Sequence, residues 1–180
     1  MDGTTHRMFG AVCGTAWAVA HGMAPAQALA FAALATVTSS GPSSPDVDCY
    51  RGWRRVDTAL PDEALGAGGP LQHRGITHWW ALPALAWWAL TQVPTGAIGW
   101  IPVALLVGWT SHLIGDFLFG KDRGIPLAPW WWHIGLGLDS GGTLEACARW
   151  TVLPAAVVWL AAVAAGAPLS WPVDVIASRV

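Results

Sequence analysis

Residues 97–119 read AIGWIPVALLVGWTSHLIGDFLF, an apolar run long enough to cross a bilayer core, which takes about 20 residues as a helix. Near its end the run carries His112 and Asp116, four residues apart. On a helix that spacing puts both side chains on one face, one turn apart. Ionisable groups inside an apolar span are costly and by default point to function. An imidazole nitrogen and a carboxylate oxygen so placed can grip one divalent cation, zinc being the commonest. The same spacing also suits a hydrogen-bonded pair that ties helices together.

Working outward, the rest of the chain is of the same kind. Its 180 residues are 54% hydrophobic and 11% charged, with a mean hydropathy of +0.45. A soluble domain carries about 25% charged residues, so most of this surface belongs in lipid. The length suits one domain, 1–180, rather than two. Further apolar segments run from Met8 to His21, Ala26 to Val37, Ile76 to Val93, and Ala146 to Ala167. The expected fold is therefore all-α, a multi-pass bundle of about four or five apolar helices. The amino terminus, MDGTTHRMFG, lacks the basic region and cleavage site of a secretory signal, so the first segment is expected to stay. The net charge of −2 gives no electrostatic case for nucleic acid. Cys13, Cys49 and Cys147 show no metal or redox spacing. Residues from about 39 to 75 form the polar part, an extramembrane loop with Arg51, Arg54, Arg55, Asp57, Asp62 and Glu63.

The first two segments are each too short for a full span. They form either one long kinked helix or a hairpin turning at Gly22 to Pro25. In the hairpin, His6, Asp46, Asp48, His73, His78, His112 and Asp116 all reach one membrane face. A single helix from 8 to 37 would strand His6 opposite Asp48, so clustering favours the hairpin. The same topology puts Arg7, Arg51, Arg54, Arg55, Arg74, Lys121, Arg123 and Arg149 on the site side and only Arg179 opposite. The positive-inside rule then turns the site toward the cytoplasm. Tryptophans near segment ends, such as Trp79, Trp80, Trp100 and Trp130 to Trp132, fit interfacial anchoring. DSGGTLE resembles a helix start, with Ser140 and Thr143 as cap candidates and Glu145 in the first turn. His21 falls at the far turn, and His133 follows the tryptophan run.

In PDVD, Asp46 and Asp48 would point opposite ways if extended, so only one is expected to ligate. In HRGITH, Gly75 suggests that a helix begins after it, with His78 near its start and His73 in the loop. The order THRMFG, PDVD, HRGITH, then GWTSHLIGDFLFGKDRGIPLAPW resembles the YdjM-like family of predicted inner-membrane metal-dependent hydrolases. The likeness covers most of residues 5–150, including GGTLE. The ordered histidines and aspartates are also similar to those of the zinc-dependent phospholipase C and P1 nuclease superfamily. The resemblance implies His6, Asp48, His78, His112 and Asp116 as metal ligands, with His73 and Arg74 beside them. Glu145 matches a family glutamate and is implied at a second metal or as an orienting group. Where the family motif reads PDIDH and THS, this chain has Cys49 and Trp79. A His-x-x-x-Glu pair is not evident, so one or two zinc ions are expected rather than three.

The expected activity is hydrolysis of a phosphoester, including one carried by a membrane phospholipid. Asp46 is the candidate general base and Arg74 the phosphate binder. One alternative is a non-catalytic membrane protein whose cluster holds structural metal or ties helices together. A transporter is disfavoured, because the polar residues gather at one face and no repeated halves appear.

Overall fold

Gly22 sets the course of the first third of the chain. Helix α1, Gly3–Ala20, is capped at its start by Asp2, whose side chain accepts the Thr5 amide, and it ends at His21. Gly22 then takes a φ of +63°, the left-handed conformation in which glycine most readily ends a helix. Helix α2, Pro25–Thr38, starts on a proline, whose fixed φ suits a first turn. The result is a helical hairpin, and the single kinked helix is excluded. His6 and the end of α2 therefore lie at the same end of the molecule. Ser39 Oγ, just beyond α2, donates to the His6 carbonyl at 2.8 Å.

This computed structural model describes residues 1–51, 54–55, 74–94, 99–120, 124–128 and 131–166. The remaining helices are α3, Ala81–Thr91; α4, Trp100–Phe119; α5, Thr143–Cys147; and α6, Leu153–Ala164. A π-helical segment, Ala148–Val152, joins α5 to α6 without a break. Pro154 has no N–H for the Trp150 carbonyl, and a locally widened turn relieves the ring's steric conflict there. Trp100–Phe119 and Thr143–Val163 are long and apolar enough to cross a membrane, while α2 and α3 are shorter.

The first two helices and α4 pack by close backbone approach. Gly10, Gly14 and Ala18 recur every four residues along α1 and are buried. A Cβ at Gly14 would lie 2.8 Å from the Ala35 Cβ of α2. One at Gly108 of α4 would collide with Thr38 Oγ1 and the Ala35 carbonyl. Small residues that admit such tight contact decide which helix faces meet. The buried core is Ala18, Ala28, Phe31, Ala35, Ala104 and Val107. Helix α6 lies against α1, and α3 rests on α4.

Three sequence expectations change in detail. The chain is mostly helical but not all-α: β1, Tyr50–Arg51, pairs antiparallel with β2, Arg54–Arg55, and β3, Ile125–Ala128, with β4, Trp131–Ile134. Helix α3 begins at Ala81, because Ile76–His78 forms only a 3-10 turn that ends in extended Trp79. Gly142, rather than Ser140 or Thr143, caps α5 and makes no side-chain cap bond. Trp79 and Trp80 have a more specific job than anchoring alone. Both indole N–H groups donate to the Leu127 carbonyl, at 2.9 and 3.2 Å, tying the entry of α3 to β3.

Candidate metal centre

Four short pieces of chain meet at the end of the α1–α2 hairpin opposite Gly22. Helix α1 brings His6, the 3-10 turn Pro45–Cys49 brings Asp46, the turn Ile76–His78 brings His78, and α4 brings His112 and Asp116. The Asp46 turn is set by serines: Ser44 Oγ donates to the Gly41 carbonyl at 2.7 Å and accepts the Asp46 amide at 3.2 Å. His6, His78, His112 and Asp116 are each 2% exposed or less, whereas Asp46 is 21% exposed.

The tautomer of His112 is the decisive detail. Its Nδ1 lies 2.8 Å from the Ser39 carbonyl, which can only accept, so Nδ1 carries a hydrogen. That carbonyl ends α2 and would otherwise be one of the helix's orphan acceptors. In the neutral ring, Nε2 is then a bare lone pair. It faces His78 Nε2 at 3.2 Å, Asp116 Oδ2 at 3.5 Å and Asp46 Oδ1 at 3.6 Å. His78 Nε2 in turn lies 3.4 Å from Asp46 Oδ1 and 3.5 Å from Asp116 Oδ2. Buried acceptors turned toward one another repel unless a positive charge sits among them. A proton on one nitrogen serves one neighbour at a time; a cation held by Asp46, His78 and His112 would serve several at once.

The spacing fits such an ion. A tetrahedral zinc with bonds of about 2.0–2.2 Å separates its ligand atoms by roughly 3.3–3.6 Å. The five contacts above run from 3.2 to 3.6 Å. The orienting contact from Ser39 to the far nitrogen of His112 is also what metal-binding histidines ordinarily have.

Electrostatics outside the spans agree. Burial would raise Asp46, but the hydrogen bond with His78 and the nearby imidazoles outweigh it and hold the carboxyl well below its usual range. Burial lowers His78 against the opposing pull of Asp46, favouring the neutral imidazole that a metal requires.

Asp116 divides its two oxygens. Oδ2 faces the donor cluster, while Oδ1 meets His6 Nε2 at 3.3 Å, Arg74 at 3.1 Å and the Met1 amino group at 3.1 Å. His6 also stacks on His112, with centroids 3.8 Å apart and planes 10° from parallel. Gly115 makes room for this ring: a Cβ there would lie 3.1 Å from His6 Nδ1. His6, His112 and Asp116 form a second group close enough to share an ion. Parallel rings aim their in-plane lone pairs in parallel, however, so His6 supports the Asp116 carboxylate more naturally than it shares the ion of His112.

Several assignments shift accordingly. Asp46, expected as a general base, is itself a donor in the cluster. Asp48 lies on the same turn, but its side chain is outside the described residues, as is all of His73. Arg74 is at the site, with a φ of +61° that turns the chain sharply there. Glu145 is not among the grouped donors of the described residues. Its Oε1 accepts the Asp2 amide at 2.7 Å and its Oε2 the Gly141 amide at 2.6 Å. Asp2 also pairs with Arg149. Glu145 thus fastens the start of α1 to the start of α5. The sequence signal for Asp46 was only the PDVD pair, which could not say which aspartate turns inward.

A mostly helical chain with two membrane-length apolar helices and a buried His/Asp donor cluster defines a membrane protein with a candidate metal centre. More particularly, the chain belongs to the YdjM inner membrane protein family, whose model matches residues 1–173. No curated protein and no solved structure matches it.

Proposed function

We propose that the chain is a multi-pass, metal-dependent phosphoester hydrolase whose site opens at the cytoplasmic face of the inner membrane. The observation that carries this reading is the unequal burial of the four donors. His78, His112 and Asp116 are sealed, while Asp46 is partly exposed and Arg74, 16% exposed, stands nearby. Catalytic zinc sites typically have three protein ligands and one position shared with water or substrate. Asp46 marks the corner where that exchange takes place.

When bound there, a divalent ion lowers the pKa of water toward neutrality and stabilises charge on phosphoryl oxygens. The chain's own groups supply the rest. Arg74 offers a planar fork of N–H donors to the phosphate and neutralises charge that builds on it. Asp46, the partly exposed carboxylate of the cluster, would take the proton of the attacking water. The water oxygen bonds to phosphorus, the bond from phosphorus to the alcohol oxygen breaks, and the proton passes to the departing alkoxide. His6 and Ser39 keep Asp116 and His112 in register.

The protein donors gathered around His112 also favour a second reading, a closed structural site that holds the helix ends together. Asp46→Asn separates the two. A catalytic site keeps its metal in this variant and loses turnover of a water-soluble phosphodiester. A structural site loses metal and thermal stability together and has no turnover in the parent protein. The orientation rests on the distribution of lysine and arginine. In intact cells, with native cysteines replaced, a cysteine at exposed Gln92 should react with an impermeant reagent and one at Arg55 should not. The reverse pattern would put the site outside.

A further inference from the structure

An apolar groove of about 560 Å³ lies between α3 and α4, with Thr38 and Ser43 also in its lining. Its α4 wall is Pro102, Leu105, Leu106 and Trp109, and its α3 wall includes Ala86 and Ala89, whose small side chains hold the gap open. The α4 positions recur every three or four residues and so share one helical face. The next positions on that face are His112 and Asp116. At about 1.5 Å per residue, the wall covers roughly 10 Å of α4 and meets His112 about one turn further on. The Thr38 end is at the level of the site, because Thr38 precedes Ser39, whose carbonyl holds His112.

The groove therefore has a direction. Hydroxyl groups stand at the end beside the donor cluster, and only apolar side chains line it toward Pro102 and Leu90. A lipid in the leaflet on the site's side is laid out in the same way, with a polar head at the interface and chains toward the midplane. A second protein copy would cover the outer faces of both helices and has no need of a slot with a polar end at the site. We infer that this groove holds one hydrocarbon chain of a lipid phosphoester, placing its phosphate at Arg74 and the donor cluster. The inference rests on the hydrolase reading for what happens to the phosphate, while occupancy of the groove can be tested by itself.

The test uses the full chain in lipid nanodiscs that contain a phosphatidylglycerol with a photoactivatable diazirine midway along one chain. Cross-links should concentrate on residues 86–90 and 102–109, above the level at bilayer-facing Leu29 and Val158. Ala89→Trp, which fills the slot, should bring the groove cross-links down to that background and leave those at Val158 unchanged. Ala86→Phe serves as a second filling variant should the first fail to fold. Uniform labelling of all apolar faces, labelling insensitive to both variants, or copy-to-copy cross-links in place of lipid would each overturn the inference. Kinetics then separate the two claims. Filling the slot should raise KM for a long-chain phosphodiester and leave a water-soluble one unchanged. Groove-specific cross-links in a protein inactive on both substrates would retain the chain site and sink the hydrolase reading.

Discussion

Asp116 and Glu145 are both buried carboxylates that bond to the first two residues of the chain, yet their surroundings differ in kind. Each oxygen of Glu145 accepts a backbone amide, from Asp2 and from Gly141. Such an acid is satisfied by hydrogen bonds that neutral peptide groups supply. Asp116 Oδ2 instead faces two imidazole nitrogens, one of which is a lone pair in the neutral ring because the other nitrogen of His112 bonds to Ser39. In the neutral ring, His112 Nε2 is an acceptor itself. Burial and negative charge are common to both sites; only the character of the neighbours marks one as a place for a cation. A glutamate that matches a family position can thus be a fastener rather than a ligand.

The sharpest way to break this contrast is Asp116→Asn. Near-isosteric replacement removes the charge that faces the cluster, so bound metal should be lost and phosphodiesterase activity should fall to background. Full metal content by elemental analysis of the detergent-purified variant would show that the cluster does not depend on this carboxylate. His6→Ala comes next. It removes the ring that stacks on His112 and supports Asp116 Oδ1, and outer partners of this sort change metal affinity by about 10–100-fold. Competition with a chelator measures the change, and complete loss would make His6 a ligand after all.

Arg74→Ala should leave metal content nearly intact and raise KM for phosphodiesters by about tenfold or more, as expected for a lost charged hydrogen bond. An unchanged KM would remove Arg74 from phosphate binding. The smallest effect is expected at the other carboxylate. Glu145→Gln strips one amide partner from the fastener, at a cost of roughly 1–3 kcal/mol, with metal and KM unchanged. A lower melting temperature with full metal content would confirm the division of labour; metal loss would erase it.

Much of the centre was legible in sequence because helical geometry is local. The spacing of His112 and Asp116 dictates a shared face on any α-helix, and α4 obeys it. Gly22 and Pro25 left a kinked helix and a hairpin both open in sequence. The clustering of polar residues favoured the hairpin, which the left-handed φ of Gly22 and the first turn at Pro25 build. That Asp46 reaches the cluster could not be read, because a 3-10 turn places residues two apart neither on one face nor on opposite ones. Its orientation comes from Ser44 and from packing against the turn that bears His78. The role of Glu145 was hidden for a similar reason: its partners are backbone amides distributed across the chain, which no residue code announces.

By itself, the sequence determined that this is an apolar, helix-rich membrane chain and that His6, His78, His112 and Asp116 gather at one end. Composition and helical periodicity suffice for that, as both act within a few residues. The tertiary structure decided that His112 Nδ1 bears a hydrogen toward Ser39, that Asp46 reaches the donor set, and that Glu145 accepts backbone amides. Those outcomes depend on contacts such as Ser39 with His112 and Asp2 with Glu145, separated by 73 and 143 residues along the chain. Only the close approach of α1, α2 and α4 through Gly10, Gly14 and Gly108 brings the donors into one cluster.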